Sequence, residues 1–461
     1  MSQDLLLRGG RIVDPSQGMD TIGDVLLRDG RVEACGTGIG TPDGADVIDV
    51  SGMVVTPGMI DVHIHLREPG REDVETIASG AHSAAAGGFT GVCAMPNTKP
   101  VTDNQAVVGF VKRQGEAAGF ARVYPYGAIS VGQKGETLAE IAEMVGAGAV
   151  AFSDDGRPVE SAQLMRSALE YARAFNVPLA EHCEDMTLAH GGSMNEGIMS
   201  AKLGLKGIPA EAEEIYVIRD ILLAKRTGGH IHLCHLSTKG SVELVRWGKE
   251  RGINVTSEVC SHHISLTEAA VEGYNTNAKM NPPLRTAADV EALQQGLADG
   301  TIDLLVTDHA PHHYDEKERE FADAPNGIVG LETALGINCT YLLHRGIMTM
   351  SQMVDAMSCK PAKVFHLPGG TLARGSLGDV TVFDPNRTWT VDAVSLDTAT
   401  LQLDLEEMPG TVTKRVRYDT SNHVLYQEHT VFGVSGAFNY GHHPILAVPS
   451  GQKGKFSTGP I

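Results

Sequence analysis

From Met59 to Asp308 the chain repeats one pattern: a short apolar run, a loop, then an amphipathic stretch. Few architectures accept that rhythm. The apolar runs predict strands over Met59–His65, Thr90–Met95, Arg122–Ile129, Ala149–Ser153, Val177–His182, His230–His235, Asn254–Val259 and Asp303–Asp308. Helical periodicity falls between most of them, as in Ser161–Phe175, Ala212–Arg226 and Ser241–Arg251. Eight such units over about 250 residues have the size and order of an α/β fold, the (β/α)8 TIM barrel. The 53 glycines and sparse aromatics suit its many tight strand–helix turns.

Histidines and aspartates gather at the C-terminal ends of these runs. His63 and His65 close the first, Asp154-Asp155 the fourth, His182 the fifth, His235 the sixth and Asp308 the eighth. Residues i and i+2 of a strand share a face, so His63 and His65 can address one ion. Neutral imidazole suits zinc, and mixed His and carboxylate ligands with an open position describe a catalytic site. A single histidine is more often a satisfied core or surface group; candidates at five of the eight strand ends are harder to dismiss. Barrel enzymes place their chemistry at that same end. Spacing alone leaves Asp154 and Asp155 as competitors.

The rest of the chain sets limits. With 37 basic and 57 acidic residues the formal charge is −20, and no Lys/Arg-rich run appears, which argues against nucleic acid. Seven cysteines at irregular spacing without Cys-x-x-Cys argue against a disulfide framework. Cys183 and Cys234 adjoin candidate ligands and, by strand alternation, should face away from them as small buried hydrophobes. The first residues lack the basic and apolar regions of a signal peptide, and no run approaches a membrane span. The expectation is a cytoplasmic protein without membrane contact.

Residues 1–56 read as short strands: Leu5–Arg8, Gly10–Asp14, Asp24–Arg28, Arg31–Cys35 and Asp46–Val50, with Asp29-Gly30 as a hairpin signal. Residues 57–368 hold the barrel. Alternation returns over 369–395, which should join the N-terminal strands in one composite β-domain. Residues 396–461 form a divergent tail that the pattern does not place.

Asp61-Val-His-Ile-His-Leu-Arg-Glu-Pro-Gly70, Met95-Pro-Asn-Thr98, Ser153-Asp-Asp-Gly156, Asn281-Pro-Pro-Leu-Arg285 and Thr307-Asp-His-Ala-Pro-His312 resemble the amidohydrolase superfamily. More narrowly they resemble its bacterial class I dihydroorotase family, over about residues 5–385. The resemblance implies a metal-dependent barrel with two zinc ions per subunit. It makes His63, His65 and Asp308 ligands of one ion, His182 and His235 ligands of the other, and Asp155 the bridge where many relatives carry a modified lysine. It implies that Arg67 and Asn97 hold a substrate carboxylate, with His65, Asn281, His312, Asn326 and Gly327 as further contacts. Arg67 lies two residues after His65, on the same face if the strand continues, and a guanidinium fork matches a carboxylate.

The implied reaction is reversible opening of dihydroorotate to N-carbamoyl-L-aspartate, a step of pyrimidine synthesis, by a metal-activated hydroxide with Asp308 as acid and base. The resemblance also allows a homodimer and a complex with aspartate transcarbamoylase. Rival readings are a hydantoinase- or allantoinase-like hydrolase and a non-catalytic scaffold for the transcarbamoylase. The filled ligand set disfavours the scaffold; Arg67 and Asp155 disfavour the other hydrolases. Two departures stand out: the loop before Gly327 reads Ala324-Pro-Asn-Gly where a phenylalanine often precedes the glycine in the family, and the usual C-terminal segment is missing after about residue 395. His262 and His263 are read as structural or supporting groups, and residues 312–330 as a solvated loop placed to act as a lid.

Overall fold

The structure, a computed structural model, describes residues 4–386 in full and beyond them the backbone strands between 390 and 457. Two compact units divide the chain, Met1–Pro385 and Asn386–Ile461. In the second, Thr390–Val394, Thr398–Leu405, Gly410–Asp419, Val424–Phe432 and Gly454–Ser457 make an antiparallel sheet in that order. Gly436–Phe438 and Leu446–Val448 pair antiparallel as a second small sheet, and the remaining residues of the unplaced tail, 396–461, lie outside the described residues. The first unit ends short of residue 395, where sequence alternation set the end of the β-domain.

All eight expected barrel strands are present and parallel. They run Met59–Ile64, Phe89–Ala94, Arg122–Gly127, Ala151–Phe152, Leu179–Glu181, Ile231–Leu233, Val255–Cys260 and Leu304–Val306, each paired with the next. The ring closes through a bridge between Ile64 and His309 and through the His65 N–H donating to the His309 carbonyl at 2.8 Å. Helices cover the outside. Ala162–Arg173 shows the logic: Ser161 caps its start, and Met165, Ala168, Leu169 and Ala172 recur at helical spacing to bury one face. These residues join the outer core with Phe152 and Leu179, each large side chain contributing about 1.5–3 kcal/mol.

A separate inner core fills the barrel with Ile60, Val62, Tyr126, Ala180, Val306 and Phe365. The first strand departs from simple alternation, which would set Val62 and His63 on opposite faces. Its pairing with the second strand is irregular between Asp61 and Ile64, and a bulge of this kind re-aims side chains. Val62 packs inside while His63 also turns inward.

The flanking sheet is composite, as expected. Its order is Val380–Phe383, Val54–Pro57, Leu5–Asp14, Met19–Arg28, Arg31–Gly36, with Asp46–Asp49 also on Leu5–Asp14. Leu5–Arg8 and Gly10–Asp14 are one strand, broken in register between Leu7 and Gly10. Asp29 and Gly30, both at positive φ (50° and 71°), make the expected two-residue hairpin. Val54–Pro57 carries no turn signal of its own and was not separable in sequence from the barrel strand that follows.

Candidate metal centre at the barrel mouth

Six of the sequence candidates meet in one buried cluster. Asp155 Oδ1 lies 3.5 Å from His63 Nε2, 3.4 Å from His235 Nε2 and 3.7 Å from His182 Nδ1. Its Oδ2 lies 3.4 Å from His65 Nε2. Asp308 Oδ1 stands 3.0 Å from His65 Nε2 and 3.5 Å from His63 Nε2. Each oxygen of Asp155 therefore faces a different subset of nitrogens, whereas Asp308 meets His63 and His65 through Oδ1 alone. Burial would raise the Asp155 carboxyl, but His63, His235 and His65 hold it well below the usual range. Asp308, opposed by the same desolvation and favoured by His63 and His65, sits at about 2.

Asp154 does something else. It accepts the N–H groups of Ile129 at 2.8 Å and Ser130 at 3.1 Å, and the Ser130 hydroxyl. Burial raises its pKa to about 6. Asp154 ties two loops together, while its neighbour looks into the mouth.

The donor set fits divalent metal. His63 Nε2 is buried without a hydrogen-bond partner, and His182 Nδ1 faces His235 Nε2 at 2.9 Å. His63, His65 and Asp308 form one group with ligand atoms within 4.8 Å, and His63, Asp155 and His235 another. Four imidazoles and two carboxylates around one space suit zinc and its neighbours.

Backbone geometry supports the aim of these groups. His235 and Asp308 both sit just past their strands at positive φ, 31° and 48°, a conformation that costs energy in a non-glycine residue and clusters at working sites. This corrects one expectation. The sixth strand ends at Leu233, so alternation no longer sets Cys234 and His235 apart. Cys234 packs in the inner core, with its sulfur near His63 and Glu258. Cys183 follows the strand rule and packs in the outer core. Both thiols are buried.

Arg67 reaches the site by another route than the one expected. The first strand stops at Ile64, and Arg67 takes φ 61°. Its Nε donates to the Pro311 carbonyl at 3.0 Å and its Nη2 approaches His312 Nε2 at 3.3 Å. Arg67, Asn97, Lys99, Pro311 and His312 border a cavity of about 110 Å³. Asn97 Oδ1 also contacts His65 Nδ1 at 2.9 Å, linking cavity and cluster. His312 Nε2 bonds the Asn326 carbonyl at 2.7 Å, and Gly327 at φ 144° leaves no room for a side chain beside Ala310 and His312. Asn281 lies instead by His182, donating to Glu184 at 2.9 Å.

The loop 312–330 is not simply solvated. Phe321 and Ala324 are buried, and the Lys279 ammonium donates to the carbonyls of Ala322 and Ala324. Its polar composition hid these anchors.

Two supporting carboxylates were missed. Glu258 Oε1 lies 2.5 Å from His63 Nδ1, and its other oxygen 3.0 Å from His232 Nε2. Glu184 Oε2 lies 3.0 Å from His182 Nε2. A charged residue inside the apolar run Asn254–Val259 was the available signal for the first; a carboxylate two residues past His182 was a weaker one for the second.

A nearly closed barrel with this cluster at its mouth is the framework of the metal-dependent cyclic amide hydrolases. L-Hydantoinase (dihydropyrimidinase) from Arthrobacter aurescens superposes with TM-score 0.73 at 27% identity, covering 82% of this chain and 86% of that one. Dihydropyrimidinase from Brevibacillus agri NCHU1002, at 22% identity and TM-score 0.71, shares the fold over 84% and 87%. Sequence narrows the class. The family described as Dihydro-orotase-like matches residues 52–241. Dihydroorotase from Geobacter metallireducens is 52% identical over 393 residues, 85% of this chain and 92% of that protein. Dihydroorotase from Anaeromyxobacter dehalogenans is 53% identical over 398 residues, 86% and 92%. The chain belongs to the dihydroorotase family.

Proposed function

We propose that the protein interconverts dihydroorotate and N-carbamoyl-L-aspartate in pyrimidine synthesis, using two zinc ions. The observation that carries this reading is the Asp155-centred cluster joined through Asn97 to a cavity bordered by Arg67. His63, His65 and Asp308 would hold one ion, His182 and His235 the other, with Asp155 between them. Bound there, the ions supply Lewis acidity for the ring carbonyl and lower the pKa of water.

The chain's own groups do the rest. Arg67 and Asn97 take the substrate carboxylate, with His312, itself held by the Asn326 carbonyl, lining the cavity, and so orient the ring for attack. Asp308 accepts the proton of the attacking water at Oδ1. As oxygen adds to the ring carbonyl carbon and the carbon–nitrogen bond opens, the same oxygen returns that proton to the departing nitrogen. In the reverse direction Asp308 takes the proton from the carbamoyl nitrogen. The anchored loop 312–330 borders the cavity through His312 and would act there as a lid that limits water.

Turnover of dihydroorotate by the purified protein alone, with its metal content measured, tests the proposal. Turnover with zinc bound supports it. A metal-loaded protein that opens dihydrouracil as well as dihydroorotate would favour a hydantoinase-like specificity instead.

A further inference from the structure

Beside the six-residue centre lies a second group of donors that the proposed reaction does not use. Cys260 ends the seventh barrel strand, and His262 and His263 follow it in a turn. All three are buried, at 0, 5 and 2% exposure. One donor atom of each lies within 4.8 Å of the others, and the two rings stand with centroids 4.3 Å apart.

The hydrogen bonds supply an independent observation. His263 Nε2 donates to the Pro282 carbonyl at 2.9 Å, so it carries the ring hydrogen. That tautomer leaves Nδ1 as a lone pair, and Nδ1 is buried with no partner. His262 Nε2 is likewise buried and unmatched. Buried polar atoms nearly always find partners, and two orphans in one turn call for a missing group. Desolvation lowers His262 to about 4 and His263 further below its ordinary value. Both rings are thus neutral near pH 7, the form that ligates metal.

We propose that Cys260, His262 and His263 form a third cation site, selective for a thiophilic ion of the Zn2+ class. One sulfur and two imidazoles suit such an ion and would be a poor match for Mg2+ or Ca2+. On binding, the Cys260 S–H bond breaks, a sulfur–metal bond forms and the proton leaves to solvent, so affinity rises with pH. Through His263 and Pro282 the ion would brace the turn that carries Asn281.

Cobalt(II) reconstitution of the full chain tests the site, because the six central ligands offer only nitrogen and oxygen. A thiolate-to-cobalt charge-transfer band in the near ultraviolet must therefore come from a cysteine. The expected result is a band that disappears in Cys260→Ser and persists in Cys234→Ser, with zinc content falling by one ion per chain in Cys260→Ser. Absence of the band in the unsubstituted chain, or its survival in Cys260→Ser, overturns the proposal. If Cys260→Ser does not fold, His263→Gln and His262→Asn serve in its place. Each should weaken cobalt binding at the thiolate site at least tenfold, and an unchanged titration of the band in both overturns it equally.

Discussion

His63 and His65 stand where the first barrel strand meets the eighth, and His63 is locked from behind by Glu258, itself fully buried and shared with His232. His182 and His235 follow the fifth and sixth strands; the loop residues Glu184 and Asn281 support the His182 ring, while outside the cluster itself His235 is held through its backbone N–H, which donates to Glu258 Oε1 at 3.3 Å. His235 Nδ1 has no partner at all among the described residues. One half of the centre is therefore held inside the barrel and the other at its rim. Carboxylates behind metal-binding histidines set the tautomer and raise ligand basicity. On the proposed two-ion reading, the difference predicts a tight ion on the His63 side and a more readily lost one on the His182 side.

The largest effects should come from the ligands. His63→Ala is expected to remove metal from both positions, since His63 faces Asp155 and Asp308 alike. His182→Ala and His235→Ala should lower metal content by one ion, and all three should cut activity by more than about 100-fold, above the usual range for outer partners. Metal analysis beside steady-state kinetics checks this. Full activity in both rim variants would break the two-ion account.

Arg67→Met should come next. A charge-paired contact shielded from water supports a loss of about 1.5–3 kcal/mol in kcat/KM for dihydroorotate. Metal content should not change, and the gap to dihydrouracil should narrow. An unchanged preference would mean that the carboxylate is read elsewhere.

The supporting carboxylates sharpen the comparison directly. Glu258→Gln should weaken the tighter ion by about 10–100-fold, and Glu184→Gln should weaken only the rim ion, by less. Chelator competition followed by metal analysis separates the two. Equal effects would erase the distinction between the halves.

The smallest of these effects falls on stability. Asp154→Ala leaves the Ile129 and Ser130 N–H groups without their acceptor, a cost of about 1–3 kcal/mol. Urea unfolding should register it.

These contrasts also show what sequence could and could not carry. The eight strands were legible because each is an apolar run bounded by loops, and the clustered histidines and aspartates were legible because they sit at strand ends. Asp154 and Asp155 were not separable by spacing, since both follow the last paired residue, Phe152, where alternation no longer dictates direction. Arg67 and His235 depart from the alternation rule for the same reason: their strands stop early and the backbone turns. Glu258 and Glu184 carried only weak signals, because a carboxylate's role depends on which ring it meets in the folded chain. Family resemblance named Asp155, and the contact geometry gives that choice a physical basis.

The central claim is that Asp155, among all the carboxylates here, joins the two halves. Metal content and dihydroorotate turnover of Asp155→Ala, measured beside Asp154→Ala, test it most directly. The account predicts loss of metal and of turnover in Asp155→Ala, and near-normal metal with reduced stability in Asp154→Ala. Retained metal and turnover in Asp155→Ala, or the same metal loss in both variants, would contradict it.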